Sequence, residues 1–342
     1  MRRRRGVALA LLFAIGAAAL PGCSSQSRPS TGHRVCNGQP AAVDVNAPQN
    51  ATSPAAAPVA GGFYFGGFAL HGAATQDNFV DSFDELATTA CRTLNLAHVY
   101  LRWRYPFPTP AAETFAKQGD AVIVSWTGTD TIEMGSGSVD DTIRKTAREV
   151  AALDAPVFFE FRWEMDRPNL AGIVHGPTDY VAAWDRVRRI FAEVGTPNVS
   201  WVWCPTSAGF TSGRAQHFYP GDDQVDWICT DAYPDPYRPP AYQPLRHLLR
   251  PFLDWTRSHD KPLMVGEFGV PHSYSPAQRA TWLKDARATF TQGRRIRAVA
   301  YFDADPPGNP PSMSYSLGSD PSVTAAMRDL AADPYFRPPG NS

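Results

Sequence analysis

The chain has 342 residues, 43% of them hydrophobic and 19% charged, a composition that allows one large core and excludes a fibrous or wholly disordered protein. Its 32 Lys+Arg against 33 Asp+Glu leave a formal charge of -1, without the basic excess of a phosphate-binding surface, so no nucleic-acid partner is expected. Nine Trp and a 12% aromatic content fit either dense core packing or a surface that stacks on apolar ring faces.

At the N-terminus, Arg2 to Arg5 precede an apolar run from Val7 to Leu20 and then Leu20-Pro21-Gly22-Cys23. The run is shorter than the roughly 20 residues that cross a bilayer as a helix, so residues 1–22 read as an export signal. Its end resembles a bacterial lipoprotein cleavage box with Cys23 as the lipidated first residue; Pro21 is atypical there, and plain secretion is the alternative. The chain is therefore expected outside the cell, on the outer face of the bacterial membrane or free, touching membrane only through a lipid on Cys23. Losing residues 1–22 removes four Arg and no acid, which takes the charge from -1 to -5. Residues 23–62, rich in Ser, Pro, Ala, Gln, Asn and Gly and without apolar periodicity, read as a disordered tether, and 63–335 as a single domain. The other cysteines, Cys36, Cys91, Cys204 and Cys229, allow three disulfide pairings in an oxidising compartment. Cys36–Cys91 with Cys204–Cys229 is the pairing expected, and buried free thiols are the alternative. No C-x-x-C or His cluster accompanies them, so neither a metal nor a cofactor is expected.

From residue 63 onward, short apolar runs alternate with stretches of helical spacing, the pattern of a parallel sheet covered by helices. The strand candidates are 63–68, 97–103, 121–126, 156–163, 199–203, 225–230, 263–267 and 298–302. Between them, Phe83, Leu86, Ala87, Ala90, Cys91 and Leu94 recur at helical intervals, as do Tyr180, Trp184, Val187, Phe191 and Val194. Ser275-Pro276-Ala277-Gln278 supplies a capping box with a first-turn proline, Gly293 marks the end of that helix, and Pro251 predicts a break or kink in another. Eight such units in about 275 residues match a closed (β/α)8 TIM barrel, typically about 250 residues long. A doubly wound open sheet is the alternative, although no G-x-G-x-x-G is present.

In a barrel, chemistry sits at the C-terminal strand ends. Glu164 ends the fourth candidate strand and Glu267 the seventh. Two carboxylates so placed, with aromatics nearby, are what glycosidic cleavage requires; a buried ion pair, for example with Arg162, is the plain structural alternative. There is no H-E-x-x-H and no G-x-S-x-G.

The segment from Gly137 to Glu164, with Asp140-Asp141 opening a helix and Ala155-Pro156-Val157-Phe158-Phe159 leading into Arg162-Trp163-Glu164-Met165, resembles glycoside hydrolase family 26, best known for β-mannanases. The order continues through Asp179 to Trp184, Asn198 to Pro205, Tyr219 to Asp223, Asp231-Ala232-Tyr233, and Lys261-Pro262 to Gly269, so that roughly residues 85–305 are covered. The resemblance implies a retaining, endo-acting glycoside hydrolase with Glu164 as general acid/base and Glu267 as nucleophile. Tyr233 would orient Glu267 by a hydrogen bond. Trp103, Trp126, Trp203 and Phe302, at or near strand ends, are candidate sugar-stacking platforms, and Arg162, Trp163 and Asp166 complete the expected substrate-binding set. The chain departs from the family at Trp163, where His is usual, at Asp166, where Asn is usual, and at Tyr301-Phe302-Asp303, where strand eight normally carries Trp. The expected partner is a polysaccharide or oligosaccharide, β-mannan-like or from a cell envelope, acted on by a monomer. A catalytically impaired glycan-binding lipoprotein on the same barrel is the alternative.

Overall fold

The computed structural model describes residues 62–235, 242–292 and 295–337; the export signal, Cys23, Cys36, Gly293 and the tether up to residue 61 lie outside the described residues. Eight parallel strands, β1 (Tyr64–Leu70), β2 (Leu96–Leu101), β3 (Ala121–Trp126), β4 (Val157–Phe161), β5 (Val199–Trp203), β6 (Trp227–Ala232), β7 (Leu263–Phe268) and β8 (Ile296–Ala304), close in sequence order into one barrel. The helices are α1 (Gln76–Ala90), α2 (Pro110–Gln118), α3 (Thr131–Ser136), α4 (Asp140–Ala151), α5 (Ala171–Val174), α6 (Pro177–Val194), α7 (Ser207–Ser212), α8 (Leu245–Trp255), α9 (Pro276–Thr291) and α10 (Pro321–Ala331). The (β/α)8 expectation holds. Cys204 and Cys229 form the expected disulfide inside the barrel, and Cys91 is also disulfide-bonded.

Local chemistry explains the helix ends. Ser275 accepts from the Gln278 backbone N–H while the Gln278 side chain accepts from the Ser275 backbone N–H, the reciprocal capping box, with Pro276 in the first turn. Cys91, in the left-handed region at φ 55°, stops α1 short of the Leu94 that its periodicity suggested. The break expected at Pro251 does not occur: α8 runs through it as one helix. A proline there removes only one hydrogen bond of the helix, and Leu245, Leu249 and Phe252 hold the helix to the core on either side.

Side chains alternate between the barrel interior and the helix-facing side. Tyr64, Leu96, Ala121, Ile123, Phe158, Val202, Trp227 and Met264 fill the lower interior. The opposite phase, including Phe65, Val124, Phe159, Trp201 and Val265, packs against the helices. This phase decides which strand-end residues reach the mouth. Ser125 faces in, so Trp126 faces out; Val202 faces in, so Trp203 faces out.

Strict alternation in β7 would put Gly266 inside and Glu267 outside, since Met264 is interior and Val265 is not. The pairing of β7 with β8 shifts register between Val265 and Phe268, and that of β6 with β7 shifts between Thr230 and Asp231. The irregularity turns Glu267 into the barrel. Gly266 is required there, because a Cβ would lie 2.7 Å from Cys229 Sγ and 3.0 Å from Asp231 Oδ1.

Candidate active site

A cavity of about 1390 Å³ opens at the C-terminal ends of the strands, with Glu164, Asp231 and Glu267 in its wall. Glu164 follows β4 through an irregular turn in which Arg162 and Glu164 both have positive φ, 48° and 53°. Backbone bonds from Arg162 N to Trp126 O (2.9 Å) and from Glu164 N to Cys204 O (2.7 Å) fasten that turn to the strands on either side. One carboxylate oxygen from each of Glu164, Asp231 and Glu267 lies within 4.8 Å of the other two.

Glu267 is held from two sides. Tyr100 Oη donates to its Oε1 at 2.5 Å, and Tyr233 Oη to its Oε2 at 2.8 Å. Burial, and then the charge of Glu164, raise the Glu267 carboxyl to about 7, while the two tyrosine hydrogen bonds and Arg167 act in the opposite direction. Asp231, 2% exposed, is pushed well above the carboxylate range by burial and then by Glu267, and its Oδ2 has no hydrogen-bond partner. Glu164 Oε2 accepts from Arg167 Nη1 at 2.5 Å. This group of three carboxylates has the spacing to hold a cation, and Arg167 already brings a positive charge to it.

Beneath Glu267, polar residues continue into the barrel. His98 Nε2 lies 2.7 Å from Ser125 Oγ, which donates to Glu160 Oε2 at 2.5 Å. Burial lifts Glu160 to about 8, against the Ser125 hydrogen bond, and depresses His98 to about 3, so at neutral pH the histidine is uncharged and Glu160 is largely protonated. A second cluster, Glu160 with Cys204 and Cys229, has ligand-like spacing, but both sulfurs are tied up in the disulfide.

The expected binding residues divide. Trp163 lines the cavity and packs on Tyr100, with ring centroids 5.3 Å apart. Phe302 lines it too, stacked on Phe68 at 5.2 Å. Arg162 also reaches the wall, where its Nη2 donates to Thr129 O at 2.5 Å. Trp126 and Trp203 cannot stack on a sugar: both are fully buried between sheet and helices, Trp203 against Phe210, Tyr219 and Trp255. Trp103 packs on Trp126 at 5.2 Å, away from the wall. Asp166 is not at the wall either; its carboxylate accepts from the backbone N–H and the hydroxyl of Thr206 (2.9 and 2.6 Å), which anchors the N-cap of α7. Sequence reasoning missed Tyr100, Arg167, His98, Ser125 and Glu160. A usable signal existed for most of them: polar residues at the inward phase of β2, β3 and β4.

No family model matches the chain. Endoglucanase H of Acetivibrio thermocellus is 22% identical over 278 residues, which cover 75% of this chain and 29% of that protein; the chain thus spans under a third of that relative's length. Among solved structures, a Bacillus sp. JAMB-750 endo-β-1,4-mannanase catalytic domain described as GH26 superposes with a TM-score of 0.61 at 15% identity, covering 82% of this chain and 88% of that one. A Cellulomonas fimi endo-β-1,4-mannanase described in the context of glycoside hydrolase family 26 gives 0.59 at 16% identity, covering 80% and 71%. The Bacteroides ovatus GH26 β-mannanase BoMan26A gives 0.58 at 14% identity, covering 80% and 90%. These likenesses establish the fold.

The two tyrosines on Glu267 lead to a prediction. With Glu267 as the expected nucleophile, which must be ionised, and burial raising its carboxyl to about 7, kcat/KM is expected to rise with pH through about 7. Tyr100→Phe removes a hydrogen bond that favours the ionised form, which moves this limb to higher pH by roughly one unit, given the roughly 1.5–3 kcal/mol of a hydrogen bond to a charged group. A pH–rate profile of the variant with an unshifted acidic limb would show that Tyr100 does not act on Glu267.

Proposed function

We propose that this chain is a glycoside hydrolase that cleaves a polysaccharide with retention of configuration, in the manner of the family 26 enzymes it resembles in sequence order. The observation that carries the reading is that one carboxylate oxygen of Glu164 lies within 4.8 Å of one of Glu267 in the wall of the barrel-mouth cavity. Retaining enzymes hold their carboxyl groups about 5–5.5 Å apart, whereas inverting ones leave about 6.5–9.5 Å for a water. Glu267 attacks the anomeric carbon as Glu164 gives its proton to the leaving oxygen; the C–O bond breaks and a glycosyl ester forms on Glu267. Glu164 then takes a proton from water as the water oxygen attacks the same carbon, and the ester opens. Tyr100 and Tyr233 point the nucleophile, and Phe302 and Trp163 offer ring faces to the sugar.

The mannanase and endoglucanase names of the similar proteins support an endo-acting reading on a β-linked backbone. The leader-like N-terminus supports export with a lipid on Cys23. The alternative, a glycan-binding barrel without catalysis, has one observation in its favour, the Arg167 cation seated on Glu164.

Glu164→Ala separates the two. As acid/base, Glu164 matters most for a poor leaving group: cleavage of a polysaccharide falls by roughly 10²–10⁴-fold, while an aryl glycoside with an activated phenol loses far less in the first step. Equal losses on both substrates would take the acid role away from Glu164, and no wild-type cleavage across mannans, glucans, xylans and envelope glycans, with binding retained, would favour the binder.

A further inference from the structure

In the resting site, one carboxylate oxygen of the proposed acid faces a cation. Glu164 Oε2 accepts from Arg167 Nη1 at 2.5 Å, and this is the one ion pair of Arg167 among the described residues, with Glu267 and Asp166 acting on it only at longer range. The guanidinium N–H thus occupies a lone pair of the group proposed to hold the catalytic proton. In the proposed mechanism Arg167 releases Glu164 when substrate binds. Arg167 lies on an irregular turn, and its side chain keeps 27% of its surface exposed at the cavity wall.

The rest of the cavity wall bears on what draws it away. Arg102, Arg162 and Arg214 line the same cavity as Arg167, and no lysine does. None of these three has a carboxylate partner among the described residues: Arg162 donates to Thr129 O, Arg214 Nε donates to Asp166 O, and Arg102 lies 6.0 Å from the Tyr105 ring. Glu164, Asp231, Asp235 and Glu267 line the cavity too, but of the four arginines only Arg167 is ion-paired with one of them, which leaves three guanidiniums at the wall without a carboxylate among the described residues. Arginine, with its planar fork, is the side chain suited to bidentate binding of a carboxylate.

We infer that Arg167 is a specificity residue that captures a carboxylate carried by the substrate beside the scissile bond, so that the substrates of this site are uronic-acid-bearing glycans. The inference rests on the hydrolase reading for its role in catalysis, but the recognition step stands without it. A substrate carboxylate replaces Glu164 on Arg167, like for like. Glu164, released, is open to serve as the acid that the first step needs. A neutral glycan has nothing to exchange for Glu164 and leaves the ion pair closed.

The test compares sugars that differ only in charge. Calorimetric titration of the full chain carrying Glu267→Ala, which binds without cleaving, uses mannohexaose against a β-1,4-linked mannuronate hexamer, and cellohexaose against its C6-oxidised counterpart. In at least one pair the acidic sugar is expected to bind about tenfold or more tighter at low salt, with the preference falling as NaCl is added. Adding Arg167→Met brings the members of that pair within about threefold of each other, and Arg167→Lys restores part of the gap. Melting curves establish that each variant is folded. No acidic preference in either pair, or a preference that survives Arg167→Met, overturns the inference. Cleavage by the unmodified chain is scored on the same four sugars: cleavage of neutral sugars alone with no acidic preference sinks this inference and leaves the hydrolase reading standing, whereas an Arg167-dependent preference without cleavage sinks the hydrolase reading and supports this one.

Discussion

Glu267→Ala abolishes the release of reducing ends, with kcat falling by about 10⁴-fold or more, equivalent to about 5.4 kcal/mol of lost barrier reduction. The loss is large because, in the proposed mechanism, the carboxylate forms and breaks the bond to the sugar, so no other group in the wall substitutes for it. Asp231 is near enough in space, but burial pushes its carboxyl well above the usual carboxylate range, which disfavours the ionised form a nucleophile needs. The fold survives. Glu267 is a buried acid raised to about 7, so its removal also removes a desolvation cost, and Tyr100 and Tyr233 border a cavity that can hydrate. Azide or formate, small enough for the vacated space, restores part of the rate. Residual activity above about 1% of wild type in a purified, folded variant would show that the nucleophile is elsewhere.

Gly66→Ala has an effect of comparable size on stability. Gly66 pairs with Leu96 across the β1–β2 seam, and a Cβ there would lie 1.7 Å from the Leu96 carbonyl oxygen. The obstacle is main chain in a closed barrel, where no side chain can swing aside and neither strand can retreat without breaking the ladder on its other side. A loss beyond about 4 kcal/mol is expected, among the largest that single substitutions produce. Thermal unfolding should show a midpoint lowered by roughly 10 °C or more, or no soluble protein. Gly172→Ala is the control: nothing lies within 4 Å of its added Cβ, and its change should stay within about 0.5 kcal/mol. Similar midpoints for the two variants would mean that the β1–β2 seam is looser than the structure shows.

Much of the architecture is local and therefore readable. The 3.6-residue recurrence of Tyr180, Trp184, Val187 and Phe191 marks α6, and the Ser275–Gln278 cap marks the start of α9, because both are set by neighbours in sequence. The Val-Phe-Phe-Glu-Phe run marks β4 and places Glu164 just beyond it, on the side of the barrel where a cavity forms. Tyr233 was readable through the ordered resemblance, and it does donate to Glu267.

What stayed hidden depends on how the barrel closes. Alternation is local, but which phase faces inward is set by all eight strands together, and that phase sends Trp126 and Trp203 outward while turning Tyr100, Ser125 and Glu160 in. The register shift in β7 is likewise a property of its two neighbours, and it alone brings Glu267 to the cavity. Tyr100 and Glu267 are 167 residues apart, so their hydrogen bond leaves no trace in sequence spacing. Arg167 is three residues from Glu164, yet nothing in that interval says that an irregular turn will fold the two side chains together. By itself the sequence determined the barrel, its units and the two glutamates, because periodicity and strand-end position are written residue by residue. Only the tertiary structure decided which aromatics reach the cavity, what holds Glu267 and what pairs with Glu164, because those contacts join segments that meet only when the barrel is closed.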